Sequence, residues 1–87
     1  MPNQKPLTES DLVRIEALCA AATPAPWRSC VEGRDHLSGS SFVQTPQADI
    51  ELTGASTADQ DFIASARQDV PTLVQEVRRL QGLLRTT

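Results

Sequence analysis

The chain has 87 residues, of which 39% are hydrophobic, and its formal net charge is −3. This length allows one domain with a small interior, and a partner chain often stabilises such a domain. The acidic balance and the presence of only one Trp and two Phe among the aromatic residues argue against general nucleic-acid binding, which requires a basic surface and often stacking aromatics.

The N-terminal part predicts an arm followed by a helix. Residues 1–7 contain two prolines and little to bury, and they are interpreted as a flexible arm. A helix is predicted over residues 8–22, because Thr8 and Asp11 have the spacing of a capping box. Its apolar face recurs every three or four residues, at Leu12, Ile15, Cys19 and Ala22. A Pro-Ala-Pro run ends the helix.

The middle of the chain predicts short strands. Residues 27–53 alternate polar and apolar side chains in brief runs, which are separated by the turn-forming segments EGRDHLSGSS and TPQA. We therefore expect a two- or three-stranded antiparallel sheet. A sheet this small requires a helix packed against it, so the predicted fold class is α+β.

Helical spacing returns at residue 57 and continues to residue 85. Thr57 and Gln60 have the spacing of a second capping box. The dipeptide Val70-Pro71 predicts a break or a kink, since proline disfavours helix at the preceding residue. The prediction is thus a helix pair, 57–67 and 69–85.

The last helix carries an apolar seam with heptad spacing. We call this set the C-terminal seam: Val70, Leu73, Val77, Leu80 and Leu84, with Val74 and Leu83 beside it. An isolated helix of about 16 residues is marginal in water, so another surface must cover the seam. The first helix and a second copy of the chain are the two candidates. We expect both, and hence a homo-oligomer that is a dimer or larger.

Charge is distributed unevenly along the chain. Residues 1–66 carry four cations against nine acids, whereas residues 67–87 carry four arginines against Asp69 and Glu76. A basic end on an acidic body favours head-to-tail contact or an acidic partner. The simpler interpretation, which we prefer, is a solvated helix with cations near its C-terminus, where the helix dipole stabilises them.

Two segments resemble a family of small phage and prophage proteins of the Ead/Ea-like type. They are AATPAPW at 21–27 and ADQDFIASARQDVPTLVQEVRRLQ at 58–81. The second match rests on Phe62, Ile63, Ala64, Ala66, Arg67, Asp69, Val70, Pro71 and Leu73. Ala25 stands where a glycine is often seen in this family. The resemblance covers about half the chain and implies a mobile-element origin, a cytoplasmic setting and a helix–β–helix order, but it implies no activity.

Residues with catalytic or metal-binding chemistry are few. Asp35 and His36 precede three serines, Ser38, Ser40 and Ser41, but neighbours in one loop rarely reach the geometry of a catalytic triad. Cys19, Cys30 and His36 fit none of the common zinc spacings. We therefore predict no catalytic residue, no metal and no cofactor.

The sequence supports two functional hypotheses. The first is a non-enzymatic phage or prophage accessory protein that self-associates and binds protein, with a host protein as a further partner. The alternative is an oligomer that binds or sequesters a small ligand such as a nucleotide, with Arg28, Arg34 and His36 as contacts. A small enzyme is the third and weakest candidate. No signal peptide and no run of eighteen apolar residues occurs, so we expect a cytoplasmic protein of the host cell and no membrane association.

Overall fold

The computed structural model describes residues 6–37 and 39–86 and has an α+β fold, as predicted. Residues 1–5 of the predicted arm lie outside this part of the chain. In chain order the elements are α1 (Glu9–Ala21), β1 (Arg28–Cys30), β2 (Phe42–Gln44), β3 (Asp49–Ile50) and α2 (Thr57–Thr86). The N-terminal helix, the small sheet and the C-terminal helical segment are confirmed.

Helix α1 begins at the predicted capping box. The backbone N–H of Asp11 donates to Thr8 Oγ1 at 3.1 Å, and the N–H of Thr8 donates to Asp11 Oδ2 at 2.9 Å. One turn later Leu12 is fully buried, whereas Leu18 is 62% exposed. Only a narrow face of α1 therefore contributes to the interior.

The sheet is antiparallel, with strand order β1-β2-β3. Ser29 pairs with Val43, which pairs in turn with Ile50. Val43 lies on the central strand and is fully buried. The strands are shorter than the predicted alternation, and residues 33–35 form a turn in the segment that connects β1 to β2.

Helix α2 is one continuous helix of 30 residues, and the predicted break before Pro71 is wrong. Proline removes one backbone hydrogen bond and costs about 3 kcal/mol in a helix interior. The helix continues because both sides of Pro71 are anchored to the same body. Ala64 and Val74 are buried on either side of it, and Thr72 Oγ1 donates to the Gln68 carbonyl at 2.9 Å.

The cap of α2 lies one residue earlier than predicted. Ser56, rather than Thr57, forms the capping box, and Asp59 is its partner at distances of 3.0 and 3.1 Å. Ser56 Oγ accepts from the first-turn N–H of Asp59, and Asp59 Oδ2 accepts from the N–H of Ser56. The side chain of Gln60, which was the predicted capping partner, therefore points elsewhere.

Gln60 joins α2 to the sheet. It is 4% exposed, and its Nε2 donates to Ser29 Oγ at 2.9 Å, to the Phe42 carbonyl at 3.0 Å and to the Cys30 carbonyl at 3.3 Å. These acceptors belong to β1 and β2. One buried amide thus fixes the helix across two strands.

Gln68 holds the segment that enters β1. Its Oε1 accepts from the backbone N–H of Trp27 at 2.7 Å, and its Nε2 donates to the Trp27 carbonyl at 3.3 Å. The amide thus satisfies both backbone groups of one residue, as a neighbouring strand would.

Two arginines of α2 hold α1. Arg67 donates to the Cys19 and Thr23 carbonyls at 3.0 and 2.8 Å, at the C-terminal end of α1. Arg78 forms ion pairs with Glu9 and Glu16 at 2.6 and 2.7 Å. Since Arg67 meets the end of α1 and Arg78 meets its first turn, the two helices run antiparallel.

The interior of this protomer is small. Among the described residues, the buried apolar side chains are Leu12, Cys30, Val31, Val43, Ala64 and Val74. The radius of gyration is 16.6 Å, against about 12 Å expected for a compact chain of this length. The molecule is elongated because α2 is much longer than the body packed on it. None of the helices in the described ranges combines the length and apolar content needed to cross a bilayer.

We predict that Gln60→Ala lowers the free energy of unfolding by about 1–3 kcal/mol, because it leaves buried backbone acceptors without a donor. Urea unfolding at one protein concentration measures the loss. Gln75→Ala is the matched control, since Gln75 is an exposed residue of the same helix. Equal losses in the two variants would contradict the role given to Gln60.

Candidate functional site

The most distinctive surface of the protomer is the apolar face of α2 that points away from the body. Leu73 is 63% exposed, Leu80 is 46% exposed and Leu84 is 77% exposed. Val70 and Val77 are half-buried. The C-terminal seam is thus accessible over most of its length. Leu83, predicted beside it, is 51% exposed.

Continuity of α2 through Pro71 lengthens this seam. Extending the same heptad positions towards the N-terminus adds Ala66, which is half-buried, and Ile63, which is 38% exposed. We call the full set the extended seam: Ile63, Ala66, Val70, Leu73, Val77, Leu80 and Leu84. It spans three heptads, which is the length at which a heptad pattern indicates a coiled coil.

Val74 does not belong to this exposed surface. It was predicted beside the seam, but it is 7% exposed and lines a groove of about 530 Å³ between the two helices, together with Cys19 and Pro71. The reason is that α1 packs on the side of α2 where Arg67 and Val74 lie. The internal and external faces of α2 are therefore distinct, and they adjoin at the half-buried Val70 and Val77.

A second pocket adjoins the N-terminal end of the extended seam. It has a volume of about 600 Å³, and its apolar lining includes Leu52, Ala55, Phe62 and Ile63. Phe62 is 75% exposed. The apolar surface therefore continues from the seam into the loop that follows β3.

Arg34, a predicted ligand contact, is already paired with carboxylates. Its guanidinium binds Asp61 through two hydrogen bonds of 2.9 and 3.0 Å, and it donates twice to Asp35 Oδ2 at 2.9 and 3.1 Å. This guanidinium lowers the pKa of Asp61 to about 2, with a smaller contribution from Ser29. An anionic ligand at Arg34 would compete with both carboxylates.

Arg28 and His36, the other predicted ligand contacts, lie on different elements. Arg28 is exposed on β1. His36 lies in the turn after β1, and its ring is 5.4 Å from that of Phe42. Its Nε2 is buried and has no hydrogen-bond partner among the described residues.

The polar loop residues considered for catalysis are bonded to other groups. Asp35 Oδ2 accepts from the Val31 N–H at 2.8 Å, Ser41 Oγ accepts from the Glu32 N–H at 3.1 Å, and Ser40 donates to Glu51 at 3.0 Å. Ser38 lies outside the described residues. These bonds shape the turn between β1 and β2.

Possible metal ligands are dispersed in the part of the chain that the structure describes. No group of three or more His, Cys, Asp or Glu side chains gathers there in a way that can hold a metal ion. Cys19 and Cys30 are both free thiols. Cys19 faces the groove between the helices, whereas Cys30 is buried on β1.

The sequence did not reveal the residues that attach α2 to the rest of the protomer. Gln60, Arg67 and Gln68 all bind backbone groups of other elements. A signal was present, since these polar side chains share a helix face with Ala64 and Pro71. Long polar residues on an otherwise apolar inner face are candidates for buried hydrogen bonds.

Comparisons with known proteins give no match: no protein-family model fits the chain, and no curated protein or solved structure is significantly similar to it.

We predict that Asp61→Asn lowers the melting temperature at pH 7 and reduces its sensitivity to acid. Because the folded-state pKa of Asp61 lies below its ordinary value of 3.8, its stabilising effect is present above about pH 4 and is lost as the pH falls towards 2. Circular dichroism melts from pH 7 to pH 2 measure the melting temperature of each variant as a function of pH.

Wild type and Asp61→Asn should therefore converge between pH 4 and pH 2. Asp49→Asn, on exposed β3, is the matched control and should remain close to wild type at every pH. A constant gap between wild type and Asp61→Asn down to pH 2 would contradict the ion-pair explanation.

Proposed function

We propose that this chain is a non-enzymatic accessory protein of a phage or prophage, which self-associates through α2 and acts by binding protein. The observation that carries the proposal is the extended seam. A regular apolar surface runs along the outside of a 30-residue helix, while a different face of the same helix holds the protomer together.

A second copy of the chain is the occupant that best fits this surface. Heptad spacing is the pattern by which α-helices pack against one another along their length. The protomer buries few apolar side chains, and a chain of this size gains stability from a partner. Burial of Leu73 and Leu80 against a second α2 adds apolar area that one protomer does not cover.

The phage or prophage setting rests on the two segments that resemble the Ead/Ea-like type. In the fold these segments contact each other. Arg67 donates to the Thr23 carbonyl at 2.8 Å, and Gln68 binds both backbone groups of Trp27. This interlocking gives the two motifs a shared structural role.

A non-enzymatic role is supported by what the polar residues do. Arg34, Asp35 and Ser41 are bonded to groups that stabilise the β1–β2 turn and its contact with α2. Among the described residues, the extended seam is a more regular feature than any group of chemically reactive side chains. A binding role explains the exposed apolar side chains of α2, which a catalytic role leaves unexplained.

We predict that the wild-type chain is at least a dimer and that Leu80→Glu shifts it towards monomer. A charge in the seam removes apolar burial and must be desolvated for pairing to occur. Light scattering over a concentration series measures the mass, and circular dichroism checks that the variant keeps its helix content.

Leu18→Glu is the matched control, because Leu18 is more exposed than Leu80 but lies on α1. We expect it to associate like wild type. A monomeric wild type at high concentration would contradict self-association, and dissociation by Leu18→Glu alone would place the interface on α1.

We also predict that a panel of nucleotides produces no saturable rise in melting temperature. The reason is that Arg34, which the ligand-binding alternative requires, already pairs with Asp35 and Asp61. Thermal shift measures the effect, since a ligand that binds the native state raises the melting temperature. A saturable rise that Arg34→Ala abolishes would favour the nucleotide-binding alternative instead.

A further inference from the structure

We infer that two copies of α2 pair parallel and in register along the extended seam, so that each seam residue meets the same residue of the partner. This inference rests on the proposed self-association and adds its geometry. Parallel, antiparallel and displaced arrangements all bury the seam. The side chains at and beside it distinguish among them.

The shapes of the seam side chains fit a parallel pair of two helices. The first three a positions hold the β-branched residues Ile63, Val70 and Val77, and Leu84 occupies the last. The d positions hold Ala66, Leu73 and Leu80. In parallel coiled coils, β-branched residues at a with leucine at d favour two strands. Within a parallel arrangement the pattern therefore selects two helices, and the charges beside the seam bear on the orientation.

The acidic residues beside the seam also favour the parallel pair. Asp69 and Glu76 occupy successive g positions. In an antiparallel pair with full overlap, g positions face g positions, so Asp69 approaches the partner's Glu76 twice. In a parallel pair each g position faces an e position of the partner. Glu76 then faces the partner's Gln81, and the e position opposite Asp69 is Val74, which is buried in its own protomer, so like charges do not meet.

The main opposing effect is the charge gradient of α2. Its last fifteen residues carry three arginines and one glutamate, and a parallel pair places these basic halves side by side. However, Arg79 is held by Glu76 at 2.6 Å, and Arg78 is held by Glu9 and Glu16. Arg85 lies at a b position, away from the seam. Repulsion between exposed charges is screened beyond about 8 Å at physiological ionic strength.

The parallel register also gives exposed Phe62 a partner. Phe62 occupies a g position and is 75% exposed in the protomer. The facing e position is the partner's Arg67, whose guanidinium is held by backbone carbonyls of its own protomer. Arg67 is half-buried, and the part of its alkyl stem that remains exposed is the surface available to the aromatic ring.

The experiment places opposite charges at one position of the seam, Leu73. Leu73→Lys and Leu73→Glu are prepared separately, because Leu73 is exposed in the protomer and its substitution leaves the internal face of α2 intact. Each variant alone should raise the dissociation constant at least about tenfold, since a buried leucine is replaced by a charge. Sedimentation equilibrium measures the mass, and circular dichroism checks the fold.

Mixtures of variants then identify the facing residue. If the pair is parallel and in register, Leu73→Lys mixed with Leu73→Glu returns to dimer mass, because lysine faces glutamate. Leu73→Lys mixed with Val70→Glu tests the antiparallel pair with full overlap. Leu73→Lys mixed with Val77→Glu tests the antiparallel pair displaced by one layer. We expect both of these mixtures to remain dissociated.

The outcomes separate this inference from the proposed function. Suppose that the wild type is dimeric and that Leu73→Lys returns to dimer mass with Val70→Glu or Val77→Glu but not with Leu73→Glu. That result overturns the parallel register and keeps self-association. If none of the three mixtures returns to dimer mass, the parallel register is also overturned, because the residues that face one another then differ from those assigned. A wild type with the mass of one 9.4 kDa chain at all concentrations overturns both proposals.

Discussion

The carboxamide of Gln60 is buried where α2 crosses the first two strands, and the rest of the protomer depends on contacts of this kind. Gln68 follows eight residues later and binds the backbone of Trp27. Arg67 and Arg78 then attach α1 at its two ends. The apolar interior is too small to define these orientations by packing alone. Directional hydrogen bonds and ion pairs from one helix fix α1 and the sheet relative to each other.

This arrangement explains why α2 remains helical across Pro71. Attachments at Gln60 and Gln68 lie on one side of the proline, and Val74 and Arg78 lie on the other. A bend at Pro71 would separate groups that bind the same body. The energy of these contacts therefore opposes the local preference of proline, and tertiary structure decides the outcome.

The sequence was sufficient to predict element order and the heptad seam, because both depend on periodicity. The capping box at Thr8 was also predictable, since it is a contact between near neighbours in sequence. The continuity of α2 and the position of its cap at Ser56 were not. The continuity of α2 depends on contacts with residues that are distant in sequence. The position of the cap depends on a choice between the adjacent candidates Ser56 and Thr57. The seam as a surface was predictable, but the inward position of Val74 was not, because it depends on where α1 packs.

The separation of the two faces of α2 has a consequence for how this protein can change over time. Under the proposed function, substitutions at the exposed Leu73 or Leu80 would alter what the molecule recognises without disturbing Gln60, Gln68 or the arginines that organise the chain. Selection can therefore act on recognition and on stability as nearly independent traits. If self-association is as proposed, related chains could diverge into sets that no longer pair with one another while every member retains the same architecture.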